Sequence, residues 1–409
     1  MKVLLVNSYV KSGGAAVAAR RLCAALNGAG AEASLLVQNP EGVEDAALRS
    51  TSDRWASRRP LWDALPVLPW RNRRSPHWGN AWLGNGATRK AIREFAPDVT
   101  HLHWVNHGML SLRDIARLKG LVVWTLHDSW VFTGGCHSPQ ECQGFRHCCG
   151  KCPELGSRRE LDLSRWNWNR KRAAWEKADF TIVTPSRWLA EIAKGSSLLA
   201  GKRIVTIPNA VDTAVFHPMD RALARKVLGL HTEAPLFFFG AHGALTDWNK
   251  GADLWRAALP AVADGFPGAE AVLAGTSGGL EKMTLQVNEL GVLTLERMAL
   301  AMAAADVVVV PSRMENLPNM VAESLACGTP VAAFATGGIP DMVRHGETGY
   351  LAQPHDADDL AKGICKLLAR GVEMRSACAA SARESYAPEA VARHHLELYN
   401  SLVESPKTF

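Results

Sequence analysis

Short uninterrupted apolar runs recur along this 409-residue chain, each followed by a stretch of helical composition. The first, residues 3–6, leads through a loop containing Gly13-Gly14 into an Ala-rich segment over residues 15–26. Gly28 and Gly30 end that segment, and residues 33–37 form the next run. Strand, glycine loop, helix, strand is a βαβ unit. Residues 99–102, 121–126 and 181–184 continue the series. Continuous rather than alternating apolarity predicts strands buried on both faces. Their alternation with helical segments predicts a parallel, doubly wound sheet.

The pattern restarts after Pro208-Asn209 with Leu236-Phe237-Phe238-Phe239-Gly240. Runs at residues 271–275, 307–310 and 330–334 follow, and residues 388–404 read as a closing helix. Two series of similar length predict two Rossmann-like α/β domains joined near residues 205–210, where Pro208 and Asn209 suit a turn. There is no short internal repeat.

Composition adds a charge asymmetry. The chain carries 46 Lys+Arg against 40 Asp+Glu, a formal +6, which is too mild for a dedicated nucleic-acid binder. The total is a cancellation. Residues 1–205 hold 30 basic and 17 acidic side chains, net +13, and the remainder is net −7. Twelve of the 14 Trp lie in the basic half. Residues 49–90 alone hold nine Lys+Arg, two acids (Asp53, Asp63) and five Trp (Trp55, Trp62, Trp70, Trp78, Trp82). Residues 165–172, Arg-Trp-Asn-Trp-Asn-Arg-Lys-Arg, have the same character. Such a surface suits an anionic membrane interface or an anionic acceptor. The alternative is a loop whose Trp residues pack onto the sheet and whose Arg residues are solvated. No apolar stretch is long enough to span a bilayer, and the N-terminus lacks the core and cleavage pattern of a signal peptide. The expected compartment is therefore cytoplasmic, with peripheral contact on the inner face of the cytoplasmic membrane as a hypothesis.

The most specific motif is Pro311-Ser312-Arg313-Met314-Glu315-Asn316-Leu317-Pro318-Asn319, continuing through Glu323 to Val331. It follows an apolar run, so its loop falls at the carboxyl edge of a sheet, where open α/β folds bind ligands. Glu315 lies on the loop, and Glu323 about two turns into the following helix. The N–H groups of Asn316, Leu317 and Asn319 at the helix start suit an anion. Upstream, residues 240–251 place Lys250 before a helix, where the dipole disfavours a cation. That position is explained if the lysine answers a ligand's negative charge. In the first half, His101-Leu102-His103-Trp104 and Leu126-His127-Asp128 each follow a predicted strand. Each pair of motifs is also compatible with plain structural roles.

Taken together, these residues resemble the retaining GT-B glycosyltransferases of family 4, whose signature is a glutamate, seven residues, and a second glutamate. Residues 337–341, 346–351, 207–212 and 216–218 match further habits of that family, and the resemblance covers roughly residues 1–400. It implies a GT-B fold of two Rossmann-like doubly wound parallel-sheet domains with an interdomain cleft. Residues 1–206 would be the acceptor-side domain, with a Cys-rich insertion at 136–152. Residues 207–386 would bind the nucleotide sugar, and residues 387–409 would form a helix packing back on the first domain.

The implied activity is transfer of a sugar, with retention, from a UDP- or GDP-linked donor to a glycan or lipid-linked acceptor in exopolysaccharide or lipopolysaccharide biosynthesis. The resemblance assigns donor-sugar contacts to Glu315 and His127, ribose binding to Glu323, and the diphosphate to Lys250 and the loop amides. Gly13 and Gly14 match the family's glycine loop. The family places Arg after Gly240 and a basic residue before Lys250. This chain has Ala241 and Asn249 there, leaving Arg313 or His242 for the second phosphate charge. On the acceptor side, Asp128 is the one obvious carboxylate candidate on the first domain's cleft loops, and His103 is a further wall residue. The family is read as front-face attack, so catalysis rests on positioning and on stabilising the departing diphosphate. No cofactor is required, and nucleic acid is not an expected partner.

Five of nine cysteines fall between Cys136 and Cys152. Cys136, Cys142, Cys149 and Cys152 have the spacing of a four-thiolate zinc knuckle, with Cys148 extra. A similar Cys-bearing insertion occurs in polysaccharide-assembly members of the family. A disulfide or redox pair, or free thiols, are the alternatives. Two other readings of the whole chain remain open. One is a different GT-B enzyme, such as a nucleotide-sugar epimerase or a phosphorylase. The other is a non-catalytic zinc-bearing binding module.

Overall fold

The computed structural model describes residues 1–51, 55, 57–70, 78–230, 233–240, 247–275 and 283–404. Two compact units emerge. One comprises Met1–Pro208 with Val391–Phe409, the other Asn209–Ala390.

Among the described residues, the first unit holds a seven-stranded parallel sheet. In chain order its strands are β1 (Lys2–Tyr9), β2 (Glu32–Asn39), β3 (Leu48–Ser50), β4 (Val99–Leu102), β5 (Leu121–Thr125), β6 (Thr181–Thr184) and β7 (Ile204–Thr206). They lie in the order β3-β2-β1-β4-β5-β6-β7. The order reverses between β1 and β4, so the crevice at that switch point lies beyond the carboxyl ends of the central strands. The loops after β1, β4 and β5 carry Gly13, His103 and His127.

The second unit repeats the design with β8 (Leu236–Gly240), β9 (Glu270–Ala274), β10 (Val287–Gly291), β11 (Val307–Val310), β12 (Val331–Phe334) and β13 (Gly349–Ala352). The order β10-β9-β8-β11-β12-β13 reverses between β8 and β11. Successive residues feed opposite layers, as a period of two requires. Phe238, Val308, Val310, Val331 and Ala333 pack into one core. Phe237, Phe239, Val307, Val309, Ala332 and Phe334 pack into the other. Burial on both faces explains why these strands read as continuous apolar runs.

The doubly wound parallel sheets match the fold predicted from the sequence. The short strands β3, β7, β10 and β13 were not among the predicted elements. The region read as a possible loop contains a helix at Arg59–Ala64, a 3-10 turn at Leu65–Trp70 and a helix at Gly86–Phe95. The helix Pro388–Glu404 returns the chain to the first unit, where Tyr399 is fully buried. No helix among the described residues is long and apolar enough to cross a membrane.

Candidate functional site

In the second unit the structure brings Lys250 to Glu315. β8 is followed in sequence by residues 241–246, which lie outside the described residues and include Ala241 and His242. The chain then forms a short 3-10 turn, Trp248–Lys250, closed by Gly251 at φ +69°. A side chain at Gly251 would run into the Pro311 carbonyl, so glycine allows this turn to lie against the loop after β11. Asn249 stitches the two segments. Its Nδ2 donates to the Met314 carbonyl at 2.7 Å, its Oδ1 accepts from Met314 N at 3.2 Å, and its carbonyl accepts from Arg313 N at 2.9 Å. Where the family has a basic residue, this chain has one that aligns two loops.

Lys250 Nζ consequently donates to Glu315 Oε1 at 2.6 Å. Burial pulls the lysine's pKa down, but the charge and hydrogen bond of Glu315 outweigh it and hold it above its ordinary value. The ammonium therefore stays protonated while partly removed from water. Glu315 is fixed from behind as well: its carbonyl accepts from Gly338 N at 2.9 Å, and a side chain at Gly337 (φ +57°) would occupy the same space.

Arg313 is committed elsewhere. It forms a two-pronged pair with Asp253 (2.9 and 2.6 Å), donates to the Trp248 carbonyl at 2.6 Å and lies 4.5 Å from the centre of that indole. Its side chain is mostly buried by these contacts, so its charge is already answered. The helix Asn319–Ala326 begins after Pro318, which offers no side-chain cap. Asn316, Leu317 and Asn319 sit at that end, half-buried, and Glu323 is buried on the helix.

In the first unit, His103 and His127 lie at the ends of β4 and β5. His103 Nδ1 and His127 Nε2 share a hydrogen bond of 2.8 Å, with the rings stacked at 5.2 Å. His101 stacks on His103 at 4.6 Å, bonding Tyr399 Oη at 2.6 Å and Thr125 Oγ1 at 2.7 Å. Burial pushes the pKa of His127 down to about 4, and the neighbouring Asp128 only partly opposes this. His103 and His101 are lowered as well, first by burial and then by the other imidazoles. Near neutral pH the row is uncharged and acts by hydrogen bonding.

Asp128 accepts from His137 Nδ1 at 2.6 Å, Trp104 Nε1 at 3.1 Å and Trp130 N at 2.8 Å. Burial raises its pKa, but His137 and the other donors outweigh burial and leave it lowered. With His103, Trp104, Asn106 and His127 it lines a cavity of about 10 Å³. His103 Nε2 and Asn106 Oδ1 are buried there with no hydrogen-bond partner among the described residues.

Gly13 caps the helix Gly14–Gly28 at φ 89°, ψ 162°, with open space around it. The adjoining amides of Val10, Lys11 and Ser12 all donate to Glu41 Oε2, at 2.9, 2.6 and 3.1 Å. No motif in the sequence marks Glu41. Burial acts to raise its pKa, and these amides with the Ser12 hydroxyl more than reverse that, leaving it lowered.

The cysteine insertion surrounds a second cavity, of about 20 Å³, lined by Cys136, Cys142, Cys149 and Cys152 with Trp78 and Phe145. None of the nine cysteines is disulfide-bonded. Among the described residues no three His, Cys, Asp or Glu side chains are gathered closely enough to enclose an ion, so the sulfurs surround this space without converging.

Two parallel αβα units with charged and imidazole side chains on their carboxyl-edge loops define a GT-B protein. Residues 12–215 match the model of Glycosyltransferase Family 4, and residues 237–370 match that of Glycosyl transferases group 1. The chain belongs to the group 1 (family 4) glycosyltransferases. It is 34% identical over 180 residues to a D-inositol 3-phosphate glycosyltransferase of Mycobacterium avium, covering 41% of each protein. The chain thus spans about two fifths of the length of the first curated relatives it matches. Its fold is similar to that of a sucrose-phosphate synthase from Thermosynechococcus elongatus (TM-score 0.72, 20% identity, 98% of both chains). It is also similar to Anabaena HepE in complex with UDP-glucose (TM-score 0.62, 17% identity, 98% of this chain and 100% of that one).

Proposed function

We propose that this protein is a retaining glycosyltransferase. It would take a sugar from a nucleotide diphosphate sugar, UDP- or GDP-linked, and pass it to a glycan or lipid-linked acceptor in exopolysaccharide or lipopolysaccharide assembly. The Lys250–Glu315 pair at the β8/β11 switch point carries this reading. A protonated, half-desolvated ammonium beside a helix N-terminus suits a diphosphate, and the carboxylate beside it suits sugar hydroxyls. UDP-glucose on Anabaena HepE supports a uridine donor.

In this scheme Lys250 and the amides of Asn316, Leu317 and Asn319 stabilise the charge that gathers on the departing diphosphate. Glu315 orients the donor sugar and Glu323 the ribose. Gly13 and Gly14 let the backbone approach the donor closely, and neutral His127 hydrogen-bonds the sugar near the reacting carbon. Arg313 contributes by stiffening the Lys250 turn through Asp253 and Trp248. His103 and Asp128 shape the acceptor side. A donor phosphate oxygen takes the acceptor proton, so no metal or cofactor enters the chemistry.

A thermal-shift series with UDP, GDP and ADP, followed by their sugars, tests the reading. Stabilisation by one nucleotide that is abolished in Lys250→Ala is expected. No stabilisation by any of them would overturn it.

The same proposal places the protein at the inner membrane face. Leu61, Leu65 and Leu68 recur at helical spacing and are 68%, 48% and 53% exposed. Trp62 and Trp82 flank them, joined by Trp82 Nε1 donating to the Trp62 carbonyl at 3.1 Å. An apolar stripe beside Arg58 and Arg59 on a +13 half suits the headgroup layer of an anionic bilayer. Salt-sensitive flotation with anionic liposomes is expected, and its absence would remove this part.

A further inference from the structure

The four thiols around the cavity of the insertion have no role in the glycosyl-transfer scheme, and their surroundings are unusual. Cys149 accepts a backbone hydrogen bond at sulfur. Gly134 N donates to Cys149 Sγ at 3.2 Å. The segment Cys152-Pro153-Glu154-Leu155-Gly156 turns back on itself, with Gly156 at φ 62° and Ser157 N donating to the Cys152 carbonyl at 3.0 Å. A small residue clears the space: a side chain at Gly134 would meet the Ser164 carbonyl at 2.5 Å and Cys149 Cβ at 2.9 Å.

A buried cation supplies the second observation. Lys171 is wholly buried, its ammonium donating to the carbonyls of Trp130 and Thr133 (3.0 Å to the latter) and lying 3.8 Å from the centre of the Trp130 ring. Among the described residues no carboxylate reaches it at ion-pair distance. Burial pushes its pKa down to about 7, opposed first by the thiols of Cys136 and Cys149. A buried, unpaired ammonium is costly, whereas one beside a cluster of thiolates is matched.

We propose that Cys136, Cys142, Cys149 and Cys152 take one zinc ion, with Lys171 as counter-charge to the thiolate cluster. Four sulfur donors favour tetrahedral zinc over the harder oxygen-seeking cations. The cavity of about 20 Å³ is the space into which the sulfurs close, by rotation of short side chains, when the ion binds. Binding replaces four S–H protons, released to solvent, by four Zn–S bonds and needs no oxidant. The ion then fixes Cys136, and with it the next residue, His137, whose imidazole holds Asp128 beside His127. Cys148, half-exposed and not lining the cavity, stays outside the ligand set.

The test uses the full chain, reduced and free of affinity-tag histidines, with zinc measured by mass spectrometry. One zinc per chain that survives gel filtration is expected, released in step with mercurial titration of the thiols. Cobalt replacement is expected to give the intense visible bands of a tetrahedral thiolate site. Cys142→Ser is expected to lose retained zinc with its far-ultraviolet circular dichroism unchanged, and Cys148→Ser to keep the ion. Failure of the reduced wild-type chain to retain zinc after titration with zinc chloride would overturn the proposal. So would a disulfide among the four cysteines, or equal loss of zinc in Cys148→Ser. Metal content is read independently of glycosyl transfer, so either conclusion can fail alone.

Discussion

Lys250 and Glu315 stand 65 residues apart in sequence and 2.6 Å apart in space. The lysine comes from the turn after β8 and the glutamate from the loop after β11, on either side of the point where strand order reverses. The pair itself adds little stability, about 1 kcal/mol or less at this exposure. Its consequence is electrostatic: the charge and hydrogen bond of Glu315 more than offset the lowering of the Lys250 pKa by burial. Lys250→Ala is therefore expected to fold normally and to lose on the order of 10²–10³ in kcat/KM, as removal of one oriented charge from a developing anion does. Glu315→Gln removes the influence that raises the lysine's pKa, so its activity should fall at alkaline pH earlier than that of wild type. Steady-state rates across pH for both variants check this.

The Lys250 turn depends on a backbone that only glycine tolerates. Gly251→Ala must leave φ +69° or strike the Pro311 carbonyl. A loss of about 1–3 kcal/mol is expected, together with weaker nucleotide binding, because Asn249 can no longer hold residues 313–314 in register. Gly13→Ala meets nothing within 4 Å and carries only the backbone cost of φ 89°. Urea melts of both variants, with and without UDP, separate steric from conformational loss: the ligand's stabilising effect should shrink more in Gly251→Ala.

The legible parts of the molecule were those set by local pattern. Residues 3–6 and 307–310 announce central strands because both of their faces are buried. The edge strands β3 and β7 were missed because they are three residues long and partly exposed, so they carry no apolar run. Partnerships across long sequence distances were illegible for a different reason. Glu41 holding the amides of residues 10–12, Asp253 claiming Arg313, and Asn249 bonding Met314 are polar contacts that leave no periodic trace in the chain. Arg313 illustrates the cost: as a loop cation it was a candidate for the diphosphate, yet its charge is answered by a carboxylate 60 residues upstream. The exposed stripe of Leu61, Leu65 and Leu68 was hidden among the Trp and Arg residues around it.

His103 is a positioning residue for His127. Its Nδ1 bond and ring stacking determine which nitrogen of His127 faces outward. His103→Ala should lower kcat about tenfold or more with a smaller change in KM, because a misplaced neighbour costs orientation rather than ground-state affinity. His103→Asn, whose amide can reach the Nδ1 position, should recover part of the loss. His127 changes charge near pH 4, so neither variant is expected to introduce or remove a limb near pH 6.5. Full pH–rate profiles decide between this and a merely structural effect, which would move stability and leave the kcat-to-KM split unchanged.

Stability below neutrality should be set by two opposed groups of buried titrating residues. His101, His103, His127 and His395 have pKa values pushed below 6.5 chiefly by burial, to about 4 for His127 and His395. Between pH 6.5 and about 4 the unfolded chain binds protons that the folded chain refuses, so these imidazoles make stability fall as pH falls. Each contributes a slope of up to about 1.4 kcal/mol per pH unit. Asp63 acts the other way. Burial lifts its carboxyl from 3.8 to about 6, against the opposing hydrogen bonds of Trp82, Leu83 and Ala81 and the charge of Arg170. Between those values the folded state holds the extra proton, and stability falls as pH rises. Asp63→Asn removes this opposing slope. Its urea midpoint should therefore drop more steeply than that of wild type from pH 6 to pH 4. Near pH 7 it should be higher, by less than about 3 kcal/mol, since the neutral side chain avoids burying a carboxylate. His395→Gln should flatten the same curve. A wild-type midpoint that is flat from pH 7 to pH 4, unchanged in both variants, would show that these groups are hydrated in solution.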